Sequence, residues 1–247
     1  MIAPIKGGSG QLAFDFPHCP SFADTDFLIA PCNADAVAWV ERWPDWPAPA
    51  LALVGPPGSG KSHLATIFAA RAKAVTVAPE ALAALDPIAA LGSARTAVVD
   101  GAECALGDRA AAEGLFHLYN RLTAIGGHLL VTGRAAPARW RIGLPDLASR
   151  LATATVAEIA APDDALLASI LIKLFADRQL KPAAEVIRYI LARAERSPAA
   201  LAAIVAELDR RALAGGRAVT VVLAADTLRD VGAAQTEIKL NDESKRT

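Results

Sequence analysis

The run GPPGSGKS, from Gly55 to Ser62, constrains this chain more than any other feature. It fits the spacing G-x-x-x-x-G-K-[ST]. The apolar stretch ALALV at 50–54 precedes it and reads as a buried strand, and a helix-forming stretch follows. A glycine-rich turn between a strand and a helix has a physical purpose. Glycines let the backbone curl so that successive N–H groups converge on phosphate oxygens. The helix N-terminus adds partial positive charge at the same point. Lys61 is then expected to reach the β- and γ-phosphates, and the Ser62 hydroxyl to bind Mg²⁺. With glycine at roughly 7% of residues, such a match arises by chance in about one chain in a hundred of this length. The candidate nucleotide contacts are Gly55, Pro56, Pro57, Gly58, Ser59, Gly60, Lys61, Ser62 and His63, with ADP or ATP as the ligand.

A parallel sheet is the natural frame for that turn. Short apolar or β-branched runs recur at 50–55, 74–78, 95–100, 127–133 and 153–159, separated by helix-length stretches. Strands without polar alternation are buried on both faces, and alternation with helices makes them parallel. The segment PCNADAVAWVERW (31–43) reads as a helix, with Asn33 near its start as a cap. After Pro162 no strand pair follows. The segment DDALLASILIKLFADR opens with two acids suited to a helix N-terminus and sets Leu166, Ile170 and Leu174 beside Leu167, Leu171 and Phe175. Helices are also expected at 183–195, 198–214 and about 223–232. The fold class is therefore α/β: a five-stranded parallel sheet between helices, then a small all-helical domain. The expected divisions are 1–20, 21–161, 162–234 and a polar tail at 235–247.

Asp100, closing RTAVVD, is the acid expected to hold a Mg²⁺ shell at the end of a buried strand. Position 101 is glycine, where a brisk ATPase usually carries a second acid. Glu103 lies two residues further, and sequence alone does not fix where it points. Arg150, in DLASRLA, falls between the fourth and fifth strands, where a guanidinium could reach a neighbour's γ-phosphate. A lone arginine also fits a solvated surface. The 25 basic and 26 acidic residues leave a net charge of −1, which excludes a broadly basic nucleic-acid binder, although RAAPARWR (134–141) could form a local patch. Cys19, Cys32 and Cys104 make neither a disulfide framework nor a zinc pattern. The start has no apolar signal region, and no long uncharged apolar run occurs, so a cytoplasmic protein without membrane contact is expected.

Taken together, GPPGSGKSHL, VVDGAEC, VTGRAAPARW, LPDLASRLATATVAEIAAPDD and RSPAALAAIVAELDRRAL resemble the DnaA/Hda branch of the AAA+ family, from about residue 11 to 232. They look most like the shorter Hda type, which inactivates the replication initiator DnaA after replication starts. The resemblance implies a P-loop AAA+ core followed by a helical lid. It implies that Asn33 lies near the nucleotide, that Thr132 or Arg134 is the sensor on the fourth strand, and that Arg150 is an arginine finger acting in trans on the initiator. It puts Ala199 where a nucleotide-sensing arginine is expected, with Arg196 one turn away as a substitute. Together with Gly101, this implies weak or no intrinsic ATPase activity. With the sequence ending just past the lid, the initiator's C-terminal DNA-binding domain is not expected.

The front carries GQLAFDFP, and Hda-type proteins begin with a Gln-Leu peptide that docks on the DNA polymerase sliding clamp. Gln11 and Leu12 match its start, with Phe14 and Phe16 as further anchors. From the residues alone, Leu12, Phe14 and Phe16 would equally share the face of a strand covering the core. The implied partners are the clamp and DnaA, with possible self-association and mainly indirect contact with DNA. The alternatives are a stand-alone P-loop ATPase or kinase and a helicase-loading or DNA-bridging factor.

Overall fold

The computed structural model describes residues 27–215 and 218–231. Gln11, Leu12, Phe14, Phe16 and the polar tail lie outside the described residues.

Strands β1 (Ala50–Val54), β2 (Val75–Thr76), β3 (Thr96–Val99), β4 (His128–Gly133) and β5 (Thr155–Glu158) form one parallel sheet in the order β2-β3-β4-β1-β5. Every residue of β1 and β3 is buried. That explains their almost wholly apolar sequences, ALALV and TAVV, since helices cover both faces. On one face, Ala50, Ala52, Val54, Ala97, Val99 and Val131 meet α3 (Pro87–Leu91), α4 (Arg109–Ala124) and α5 (Pro145–Ala152). The small alanines of the sheet share that core with Leu115, Leu118 and Leu122 of α4, so large and small side chains interleave. On the other face, Leu51, Leu53, Val98 and Leu130 meet α1 (Ala34–Glu41) and α2 (Lys61–Ala72).

The second strand is shorter than the apolar run at 74–78 suggests. Lys73 closes α2 in the left-handed conformation (φ 49°), and Pro79 opens a 3₁₀ turn, so little chain remains between them. Pairing extends one residue further only through the Val77 N–H, which donates to the Val98 carbonyl at 2.9 Å.

Past β5 the chain builds α6 (Asp164–Asp177), α7 (Ala184–Leu191), α8 (Pro198–Gly215) and α9 (221–231). Asp163 caps α6 by accepting the Leu166 N–H at 2.7 Å. These helices have their own core, in which Leu167, Leu171 and Phe175 meet Val186, Ile190, Leu201 and Val205. The described part is thus a three-layer α/β unit followed by a small helical lid. Because β1 is flanked by β4 and β5 while its own connection runs out to β2, the loop after β1 emerges where the connections diverge. In open parallel sheets that crevice is where ligands bind.

Candidate functional site

The loop from Gly55 to Gly60 leaves β1 and turns into α2 without a side-chain cap. The first backbone bond of α2 is from the Leu64 N–H to the Gly60 carbonyl at 3.0 Å. The N–H groups of Lys61, Ser62 and His63 therefore have no intrahelical partner and gather at the helix's positive end. The loop is shaped by close approach. A Cβ at Gly55 would stand 2.0 Å from the Ile159 carbonyl oxygen, and one at Gly58 (φ +74°) would stand 2.5 Å from the Ser197 Cβ. Inside the loop the Ser59 hydroxyl is buried and has no partner. A tightly wound backbone, uncapped N–H groups and an orphaned buried hydroxyl fit a phosphate chain.

The Lys61 ammonium lies across this cradle, donating to the Gly55 and Pro56 carbonyls at 2.8 Å each. Burial pulls its pKa below the usual lysine value, and Asp100 and Glu103 oppose that shift. Both acids thus act on the same charge. Ser62 and His63 are exposed at the start of α2. The His63 ring stacks on Phe27, centroid to centroid 5.6 Å at 14°. Pro56 and Pro57 lie on the loop's exposed side.

At the end of β3, Asp100 accepts a hydrogen bond from the Thr132 hydroxyl at 2.6 Å, and the same hydroxyl accepts the Gly101 N–H at 2.7 Å. Thr132 is almost fully buried on β4. It fixes one carboxylate oxygen of Asp100 and leaves the other for a cation. Ser62 and Asp100 are the residues that would hold Mg²⁺. Among the described residues no three His, Cys, Asp or Glu side chains cluster as a metal site. Of the two sensor candidates, Thr132 is committed to Asp100, while Arg134 is exposed beside Glu103.

Asn33 corrects an expectation. It stands at the N-cap position of α1, yet its side chain does not cap. Its Oδ1 accepts the Ala30 N–H at 2.9 Å and its Nδ2 donates to the Leu28 carbonyl at 3.0 Å. Asn33 is almost fully buried, and it stiffens the 28–33 loop, which is tied to β5's exit by the Ala160 N–H on the Cys32 carbonyl at 2.9 Å. That loop carries Phe27 to the mouth of the site.

The lid closes the other side. Ser197, 5% exposed, caps α8 by accepting the Ala200 N–H at 3.1 Å, and it packs directly on Gly58. Neither Ala199 nor Arg196 makes that contact. Arg196 instead donates to Asp164 at 2.6 Å, bridging the starts of α8 and α6, and Ala199 is exposed. Sequence reasoning did not identify Phe27 or Ser197. Both come from segments remote in sequence, and no motif marks either.

Arg150 is on α5, with Leu147 and Leu151 of the same helix fully buried. An eight-residue helix has little stability alone. Burying two leucines, at about 1.5–3 kcal/mol each, holds it in place. Its guanidinium carbon lies 5.2 Å from the Phe116 ring centroid and 5.6 Å from that of Tyr119, both on α4. Arg150 is exposed, and among the described residues it has no carboxylate partner. It is on the flank built by α4 and α5, apart from the phosphate loop's contacts.

Among the described residues no helix is long and apolar enough to cross a membrane. No family model matches the chain. Solved structures do. Domain III of the Thermotoga maritima replication initiation protein DnaA superposes with a TM-score of 0.73 at 19% identity, covering 83% of this chain and 94% of that one. AMPPCP-bound DnaA from Aquifex aeolicus gives 0.64 at 18% identity over 76% of this chain, which spans only 65% of that longer protein. The FIGL-1 AAA domain in complex with ADP gives 0.54 at 20% identity, over 75% of this chain and 72% of that one. The chain therefore has the AAA+ fold, a five-stranded parallel core with a small helical lid, in the arrangement of DnaA domain III.

Proposed function

We propose that this chain is a nucleotide-binding adaptor of the DnaA/Hda kind, which meets the sliding clamp through Gln11–Phe16 and supplies Arg150 to the ATP site of the initiator DnaA. One observation carries the reading. Arg150 is exposed, lacks an internal anion among the described residues, and rests on two aromatic rings. An arginine in that setting keeps its five donors available for the phosphates of another molecule. The rings limit the guanidinium's wandering, so less ordering entropy is lost when it engages.

The chain's own nucleotide, ADP or ATP with Mg²⁺, would lie in the cradle of Gly55–His63. There it would fix the position of Ser197, and with it the lid, against the loop. The bound phosphates supply negative charge to groups already aimed at them. Lys61 turns from the Gly55 and Pro56 carbonyls to the phosphates, and Thr132 keeps Asp100 in place. Clamp docking rests on the Gln-Leu resemblance and brings the finger to DNA where the initiator works. Two modest contacts in one molecule then gain from effective concentration.

The test is Arg150→Ala in the full chain, assayed on the initiator's ATP hydrolysis with clamp loaded on DNA. Stimulation should fall by about 10³-fold or more, as for other fingers acting in trans. Clamp binding and the chain's own nucleotide affinity should be kept. Normal stimulation by the variant would end the reading.

A further inference from the structure

One edge of the sheet is open. β5 pairs only with β1, so among the described residues no strand lies on its far side. The parallel ladder fixes which groups point there. The Ile159 N–H donates to the Val54 carbonyl at 2.8 Å, so Thr155, Ala157 and Ile159 turn their backbone N–H and C=O toward β1. Val156 and Glu158 turn theirs outward. Ala160 also turns outward, and its N–H is taken by the Cys32 carbonyl at 2.9 Å, where the loop before α1 covers the strand's exit. Among the described residues no such backbone bond covers Val156 or Glu158.

A groove of about 610 Å³ lies between this edge and α1. Its apolar lining includes Trp39 of α1 and Val156 of β5, and Val156 is 43% exposed. Three carboxylates also line it, those of Asp35, Glu41 and Glu158. None of them has a cationic partner among the described residues. Arg42, the cation of the lining, stacks instead on the Trp39 ring at 4.9 Å. Open strand edges are commonly closed off by lysine, proline or a bulge. β5 reads TVAE and has neither lysine nor proline, and its ladder with β1 is unbroken. Its single charge is an acid, which repels an anionic strand and attracts a cationic one.

We propose that this edge takes an extended, lysine- or arginine-bearing segment of a partner protein, which adds to the sheet as a sixth strand beside β5. The outward N–H and C=O groups of Val156 and Glu158 bond the segment's main chain. Its alternate side chains face Trp39 on the α1 side and Val156 on the other. Its cations meet the carboxylates of Asp35, Glu41 and Glu158. Main-chain bonds supply affinity without regard to sequence, and the charges choose the partner. An acidic segment is refused by the same three carboxylates. The groove shares no residue with the phosphate loop or with the Arg150 flank, so the site goes beyond the adaptor reading and does not depend on it.

The test titrates a labelled, end-capped Lys-Val-Lys-Val-Lys-Val peptide with the full chain and follows fluorescence anisotropy. Binding should saturate and should weaken as salt is raised. The Glu-Val counterpart should bind weaker by about tenfold or more. Val156→Pro is the decisive variant. It deletes an outward N–H and leaves the pairing with β1 intact, since proline is tolerated on an edge strand with that side free. It should weaken the Lys-Val peptide by about tenfold or more, and the Kd for ADP should stay within about twofold. If that variant does not fold, a Lys-Val peptide N-methylated at every residue, which has no main-chain donor, should show the same loss on the unaltered chain. Glu158→Lys should narrow or reverse the preference between the two peptides. No saturation up to about 1 mM overturns the proposal. So does equal binding of the Glu-Val peptide, or binding indifferent to both Val156→Pro and N-methylation, which would leave charge attraction alone. Displacement of the probe by a peptide of residues 8–18 would give the edge to this chain's own front segment, and self-association lost in Val156→Pro would give it to a second copy. Either result overturns the proposal. The adaptor reading fails separately, through the initiator's hydrolysis.

Discussion

Two arginines singled out in the sequence end in opposite situations. Arg196, two residues before α8, pairs with Asp164 at 2.6 Å, which ties the approach to α8 to the start of α6. Arg150, on the α4–α5 flank, has aromatic rings beneath it and no anion beside it among the described residues. The lid region looks inward: Ser197 packs on Gly58, and Arg196 is satisfied at home. On the flank, no carboxylate among the described residues satisfies the Arg150 donors. An arginine that completes a partner's phosphate site should resemble Arg150, because an internal carboxylate would compete with the phosphate for the same donors.

If that contrast holds, changes around the loop and lid should register in the chain's own nucleotide affinity, and changes on the flank should not. The largest effect is expected from Lys61→Ala. Its two hydrogen bonds to the Gly55 and Pro56 carbonyls show the ammonium already inside the cradle. Hydrogen bonds to charged groups contribute about 1.5–3 kcal/mol each. Removing the ammonium should raise the Kd for ADP by roughly 10²-fold or more, read by titration with a fluorescent ADP. An affinity unchanged within threefold would mean that the loop is not the nucleotide's seat.

Next comes Gly58→Ala. The new methyl would take a left-handed conformation and meet the Ser197 Cβ at 2.5 Å. A non-glycine residue in such a conformation costs about 1–3 kcal/mol. In a chain of this length each kcal/mol lowers Tm by roughly 2–4 °C. The lid must also retreat from the loop, so ADP affinity should fall alongside the Tm. A Tm and an affinity both unchanged would show that the lid does not rest on the loop in solution, and the inward half of the comparison would go.

The sheet and the loop were legible in sequence because each is written locally. β1 is a continuous apolar run, β3 and β4 are mostly apolar, and the phosphate loop is one contiguous motif. The misses have physical causes. The second strand is shorter than its apolar run because Lys73 ends α2 in a left-handed turn and Pro79 opens a 3₁₀ turn, which leaves only Val75 and Thr76 in the ladder with β3. Asn33 reads as a cap in sequence, because an asparagine before a helix looks the same whether its side chain turns forward to the helix or back to Leu28 and Ala30. The direction of Glu103 depends on the left-handed Gly101, which spacing does not reveal. Ser197 is 139 residues from the glycine it covers, too far for any local pattern.

The smallest expected effect, from Arg196→Ala, sharpens the contrast most. Arg196 and Asp164 keep 56% and 82% of their side-chain surface exposed. Exposed ion pairs contribute about 0–1 kcal/mol and are screened by salt. If Arg196 serves only to join the starts of α6 and α8, its loss should lower Tm by no more than a few degrees and shift ADP and ATP affinity less than about threefold. Raising the salt should shrink the Tm difference further. If Arg196 instead leaves Asp164 when nucleotide arrives and bonds to phosphate, the variant should lose ATP affinity by tenfold or more, while Asp164→Asn, which frees the guanidinium, should gain it. That pair of results would make Arg196 a second phosphate arginine held in reserve. Freedom from an internal anion would then no longer separate an arginine that acts from one that only braces the fold.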